Sequence, residues 1–344
     1  MSRSDRFLRA CSLQPVDCTP IWLMRQAGRH MGEYRRLRSR YGLHEMFCSP
    51  QLAAEVTLQP VQAFDLDAAI IFSDILIPLQ GMGIELEFTD HKGPIIRNPV
   101  RTMAQVEALR IPDPEEDLGF VLQSIRLARE ALAGSVPLIG FAGAPFTLAS
   151  YLIEGVSSRD FVLTKLMMYE EPETWRDLME KLCSTLGRYL LAQVRAGVQA
   201  VQLFDSWVGC LSPGDYRHYV LSYSKKVLDL LEGAGVPRIH FGTRSGELLA
   251  LMREGGGDVI GVDWRTTLAD AWQRVGPSAG IQGNLDPVLM LAPRRVLEAG
   301  ADRILDQAAG RSGHIFNLGH GILPNTPTDA VKALIDRVHS HKPG

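Results

Sequence analysis

The sequence is poor in cysteine and has no paired cysteine. Five occur in 344 residues (Cys11, Cys18, Cys48, Cys183, Cys210), no two form a C-x-x-C pair, and none follows Cys210. Such usage excludes a disulfide scaffold and a cysteine metal cage, and it fits a reducing cytoplasm. No run of about 18 apolar residues appears, so no membrane span is predicted. The opening stretch MSRSDRFLRACSLQPVDCTP lacks the apolar core of a secretory signal. Net charge is nearly absent too: 36 basic residues stand against 39 acidic ones. That balance argues against a surface built for nucleic acid. Short-period repeats and low-complexity tracts are missing, and the proline- and acid-rich RIPDPEED reads as a loop. A single domain over residues 1–344 is therefore expected, with no nucleic-acid or membrane partner.

What the sequence does contain is a regular alternation. Eight short apolar runs end in a polar or glycine-bearing tip: PIWLMRQ, AAIIFSD, PLIGFAG, AVQLFDS, RIHFGT, VIGVDW, AGIQGNL and HIFNLGH. Continuous apolar runs of this length mark parallel strands buried on both faces. Helical periodicity fills the intervals; PETWRDLMEKLCSTLGRYLLAQVRAG sets Trp175, Leu178, Met179, Leu182, Leu186, Leu190 and Leu191 on one side and stops at Gly197. Eight strands alternating with helices predict an α/β fold, a single (β/α)8 TIM barrel with long loops at its C-terminal face. An open doubly wound sheet is the alternative, but no Gly-rich turn follows the first strand. After the second strand, GMGIELEFTDHKGPIIRNP predicts an extra hairpin turning near His91–Gly93.

In such a barrel the chemistry gathers at the C-terminal strand ends. The predicted tips carry Arg25, Gln26 and Arg29, then Asp74, Phe141 with Gly143, Asp205 with Ser206, and Asn317 with His320. The stretch MRQAGRHMGEYRRLRSR holds six arginines and one acid, Glu33. A solvated helix accounts for Arg35, Arg36 and Arg40. Arg25 and Arg29 follow the strand directly and flank QAG, whose small residues admit a ligand, so anion binding is expected of them. Asp74 serves equally as a helix cap, an arginine partner or a carboxylate that stabilises a cation on a ligand. His320, between glycines, is placed for ligand contact. Tyr151 in a helix is by default a core residue, and His240 is expected inside the barrel. Ser206 lacks a G-x-S-x-G elbow, which excludes a serine hydrolase.

These residues carry a resemblance. PIWLMRQAGR, FSDILIPLQGMG, GFAGAPFTLASYLIEG, QLFDSW, GVDW, QGNLDP and NLGHGILPNTP are similar, in order from about residue 5 to 340, to the signature blocks of the uroporphyrinogen decarboxylase family. The resemblance implies a homodimeric (β/α)8 enzyme of porphyrin and haem biosynthesis. Such an enzyme removes carbon dioxide from the four acetate arms of uroporphyrinogen III, giving coproporphyrinogen III, with neither metal nor organic cofactor. Matched motif to motif, it places substrate binding on Arg25, Gln26, Ala27, Gly28, Arg29, Asp74, Phe141, Tyr151, Ser206 and His320, and catalysis on Asp74 and Arg25. The family usually follows RQAGR with Tyr-Leu-Pro; here His30, Met31 and Gly32 stand there, a less rigid loop with an added titratable group near the mouth. A zinc methyltransferase of the same superfamily is disfavoured, because Gly242 occupies the place of its first cysteine and no cysteine follows Cys210. A nucleic-acid binder using RRLRSR is disfavoured by the charge balance and by the lack of interleaved aromatics.

Overall fold

The computed structural model describes residues 1–89 and 93–341. Its centre is a curled parallel sheet of seven strands, ordered β1 (Ala69–Ile70), β4 (Leu138–Gly143), β5 (Ala200–Asp205), β6 (Arg238–Gly242), β7 (Val259–Gly261), β8 (Gly280–Gln282) and β9 (His314–Ile315). All are neighbours in parallel register, for example Gly140 with Val201 and Ile260 with Ile281. All six residues of β4 are buried, as expected for a strand covered on both faces. The fold is α/β and TIM-barrel-like.

Seven of the eight predicted runs are strands, and PIWLMRQ is not. It makes one parallel bridge, Ile21 with Phe316. The Trp22 N–H donates to the Phe316 carbonyl, Phe316 donates to Pro20, and Asp67 donates to the Ile21 carbonyl, so the segment lies between the two edges of the sheet. The ladder stops there for local reasons. Pro20 has no N–H to give. Beyond Trp22, the Leu23 N–H donates to Gln26 Oε1 and the Met24 N–H to Asn317 Oδ1, so side chains take the hydrogen bonds a strand would make.

The predicted extra hairpin falls on a separate antiparallel ladder, β2 (Leu86–Thr89) with β3 (Gly93–Ile96), Leu86 opposite Ile96. Of its predicted turn, His91 lies outside the described residues. The helix Pro172–Ala196 begins with proline in its first turn and ends at Gly197, whose φ of 117° suits glycine. Its predicted apolar face is buried from Trp175 to Leu190, and Leu191 is half-buried. That helix also reaches the sheet: the Phe141 N–H donates to Gln193 Oε1 and Gln193 Nε2 donates to the Phe141 carbonyl. A Cβ at Gly140 would lie 2.4 Å from that amide oxygen, so the bond requires glycine there.

Polar side chains tie the inside of the curl together. Trp22 Nε1 donates to Gln282 Oε1 (2.9 Å), and Gln282 Nε2 donates to Gln202 Oε1 (3.0 Å). Fully buried Asp67 receives Arg6, the Ile21 N–H and His339, joining three parts of the chain. Such satisfied buried groups fix register more than they add stability. No helix among the described residues is long and apolar enough to cross a membrane.

Candidate active site

A cleft of about 1010 Å3, counting its open mouth, lies at the C-terminal ends of the strands. Its walls are mostly apolar: Ile70, Ile71, Phe72, Ile75, Phe141, Phe204 and Phe241. Phe141 meets Phe204 edge-on at 5.5 Å, and Phe204 meets Phe241 at 5.9 Å, an aromatic series across three adjacent strands. The polar lining is small, with Arg25, Gln26, Ser73, Asp74, Tyr151, Ser206 and His320. A concave apolar site with a few convergent polar groups is the usual form of a small-molecule pocket.

Asp74 follows β1 and is half-buried. Its Oδ1 accepts the Leu76 N–H at 2.9 Å, and Oδ2 has no partner among the described residues. Burial pushes its carboxyl above the ordinary aspartate range, against the Leu76 N–H and Arg25, which favour the charged form. Arg25 sits with φ 61°, a left-handed backbone that a non-glycine residue adopts at a cost. Its stem crosses Gly321, where a Cβ would lie 2.5 Å from Cδ and 3.0 Å from Nε. Tyr151 packs on Trp207 at 5.7 Å; burial, and then Asp74, push its phenol up to about 12. Burial, and then Arg25, pull the His320 imidazole down to about 4, so it is neutral at neutral pH.

The cleft thus brings together Arg25, Gln26, Ala27, Asp74, Phe141, Tyr151, Ser206 and His320. Gly28 and Arg29 are not among its lining residues. The Arg29 carbonyl instead receives Arg35, which also holds the His30 carbonyl and so pins the loop. Gln26 lines the cleft, but its amide is committed to the Leu23 N–H and the Ala68 carbonyl. Asp205 and Asn317 are fully buried and bond internally, to Thr147 and to the Met24 and Leu318 N–H groups. His240 is fully buried, 3.9 Å from Asp205. His30 corrects an expectation. It is buried away from the cleft, and desolvation followed by Arg35 holds its imidazole at about 4, so it adds no titration at the mouth near neutrality.

Gly321 was hidden in the sequence, where NLGHG shows flanking glycines but not what crosses them. Substituting Gly321→Ala is expected to displace Arg25 and lower kcat/KM by about tenfold or more, with Tm unchanged because a flexible side chain yields. Full activity in that variant would show that the floor does not set the position of Arg25.

Comparison with known proteins gives the family. A family model described as Uroporphyrinogen decarboxylase (URO-D) matches residues 2–341. The curated uroporphyrinogen decarboxylase of Sorangium cellulosum is 58% identical over 336 residues, covering 98% of this chain and 96% of the relative. That of Roseiflexus sp. is 54% identical, covering 98% of both. Among solved structures, a methyltransferase from Methanosarcina mazei shares the fold, with TM-score 0.81 at 20% identity and 98% coverage of both chains. At Gly242 a Cβ would already lie 3.0 to 3.1 Å from Val208, Met252 and Ser245, which leaves little space for a cysteine. With the family model matching residues 2–341 and identity above one half along nearly the full length of both chains, this chain belongs to the uroporphyrinogen decarboxylase family.

Proposed function

We propose that the chain removes carbon dioxide from the four acetate side chains of uroporphyrinogen III to give coproporphyrinogen III, with Asp74 and Arg25 as the catalytic residues. The observation that carries this is one carboxylate with a free oxygen in an apolar cleft, with a guanidinium beside it. The four pyrrole N–H groups of a porphyrinogen converge on a common centre. Asp74 Oδ2 accepts from that centre and fixes the ring over the mouth, while Phe141 and Phe204 cover its apolar body.

Loss of carbon dioxide needs a place for the electron pair. A proton added to the pyrrole carbon next to the one that bears the acetate makes the ring cationic. The bond to the carboxylate then breaks, its electrons neutralise the ring, and an exocyclic methylene is left. A proton added at that methylene and the first proton lost from the ring carbon complete the methyl group, so each acetate consumes one proton and releases one carbon dioxide. The substrate is its own electron sink. Asp74 stabilises the cation as it forms, in a site where burial strengthens the interaction. Arg25 aligns the acetate; a guanidinium is a weak acid at neutral pH, which favours orientation over direct proton donation. Tyr151, Ser206 and neutral His320 contact substrate carboxylates and ring, and Gln26, Ala27, Gly28 and Arg29 belong to the loop that presents Arg25. Neither metal nor organic cofactor enters this scheme.

The segment around Ile21 acts as the eighth stave in this reading, closing a single (β/α)8 barrel over residues 1–344, with the β2–β3 hairpin and long loops at its mouth. A homodimer is proposed as well. Val162, Leu163, Leu166 and Tyr169 leave an exposed apolar face on the helix Val162–Glu170, which suits a second copy. Cysteine usage fits a cytoplasmic enzyme.

Anaerobic incubation with reduced uroporphyrinogen III, followed by chromatography of the oxidised products, tests the activity. Stepwise loss of four carboxylates is expected, and unchanged octacarboxylate overturns it. The pH profile follows from Asp74. A raised carboxyl must be ionised to act, so kcat/KM falls as pH drops, with its inflection above the ordinary aspartate value of 3.8. Pyrrole N–H donors favour the ionised form, so the limb lies at lower pH in kcat than in kcat/KM.

A further inference from the structure

A second pocket, of about 850 Å3 counting its open mouth, adjoins the cleft and shares Ser206 and His320 with it. Three arginines from three separate loops line it, Arg159, Arg244 and Arg265, and no carboxylate is among its lining residues. Resting on the reading that the substrate is a polycarboxylated tetrapyrrole, we propose that this pocket receives a non-reacting carboxylate arm, with Arg159 and Arg244 as its anion-binding groups.

The electrostatics leave these two cations unspent. Buried Asp263 lies behind the pocket, and its Oδ2 accepts Arg265 Nη1 at 2.7 Å, which offsets one of the three charges. The Arg265 guanidinium also lies on the Trp264 ring, 3.9 Å from its centroid. Arg159 and Arg244 have no ion pair among the described residues, and both are exposed. Solvated arginines are common, but two features set this pair apart. They converge on one concavity that opens onto the reaction site, and Arg244 is held in place at a backbone cost. Its φ is 52°, a left-handed conformation where glycine would be at ease, and its N–H is fixed by Asp263 Oδ2. The same aspartate also accepts the Arg265 N–H at 3.0 Å, so one buried carboxylate organises the loop that follows β6 and the loop that follows β7. An arm passing between Ser206 and His320 leaves the cleft and enters this pocket, where guanidinium forks match a carboxylate.

The test combines Arg159→Ala with Arg244→Gly. Glycine keeps the N–H that Asp263 holds and relieves the left-handed backbone, so Tm is expected to stay at or above that of the unsubstituted chain. The expected result is a KM for reduced octacarboxylate raised about tenfold, with kcat within about threefold. Arg244→Lys in place of Arg244→Gly is expected to recover only part of that loss, because the ammonium keeps the charge, lacks the planar fork and leaves Arg159 missing. The pentacarboxylate intermediate, with four propionates and one acetate, separates the sources. An equal KM shift for both substrates identifies a propionate arm, and a shift confined to the octacarboxylate identifies an acetate. KM within twofold for both substrates overturns the proposal. Turnover of the unsubstituted chain is measured alongside. Should it be absent, the proposed function fails, and the pocket is judged by equilibrium binding of uroporphyrin followed by fluorescence quenching. Weakening of that binding by about tenfold in the double variant supports the pocket, and unchanged binding overturns it.

Discussion

Asp74→Asn is expected to lose on the order of 10²-fold or more in turnover while the fold stays intact. The amide keeps the shape of the side chain and one acceptor oxygen, so part of the grip on the pyrrole N–H groups survives. What disappears is the full negative charge facing a ring that turns cationic. A loss below tenfold in a folded variant would remove Asp74 from its proposed role. The same substitution carries a second signature of opposite sign. Burial raises the carboxyl of Asp74, so the folded state binds its proton more tightly than the unfolded chain does. Stability from this group is then fully present at low pH and is lost as pH rises through the raised value; at neutrality the ionised form is a cost. Asn carries no charge, so the variant is expected to melt on the order of 2 °C higher at neutral pH. Calorimetry at neutral and acid pH checks this, and an Asn variant less stable at neutral pH would contradict it. Activity and stability therefore move in opposite directions at one residue.

Arg25→Lys is expected to lower kcat/KM by about 10²-fold despite conserving charge. The stem of Arg25 lies along Gly321, and the guanidinium reaches the lining of the cleft from a strained backbone. A lysine ammonium on that path is a point charge without the planar fork that holds a carboxylate by two hydrogen bonds. If charge alone mattered, the loss would stay under about threefold. Arg25→Ala with added guanidinium chloride gives the complementary reading. Partial return of rate at constant ionic strength indicates a placed guanidinium, and no return places the effect in the loop.

Much of this was readable from residue order, for identifiable reasons. Seven buried strands announced themselves because parallel strands covered on both faces need continuous apolar runs, as in PLIGFAG and AVQLFD. The segment PIWLMRQ looked the same but bridges only at Ile21, because the partners that end its ladder, Gln26 and Asn317, are side chains invisible to periodicity. Asp74, Tyr151, Ser206 and His320 sit together in the cleft, and the strand-tip rule placed all but Tyr151 near it; the tyrosine comes from the helix Pro145–Glu154 and needed the family motif. Spacing could not say which tip residues face the cleft. Asp205 and Asn317 occupy equivalent positions but are fully buried, where Asp205 Oδ1 accepts from Thr147 and Asn317 Oδ1 from backbone N–H groups. Nor could composition show that His30 is buried, or that Arg159, Arg244 and Arg265, far apart in sequence, share one pocket.

The bond from the Met24 N–H to Asn317 spans 293 positions, and Ile322 donates back to the Met24 carbonyl. The arginine loop is therefore shaped by residues synthesised long after it, 293 positions on in the case of Asn317. A nascent chain that has released everything up to residue 310 already owns Asp74 and its aromatic walls, yet lacks the partners that set Arg25. Competence waits until the two distant segments meet, so a product cut short before Asn317 is expected to bind poorly.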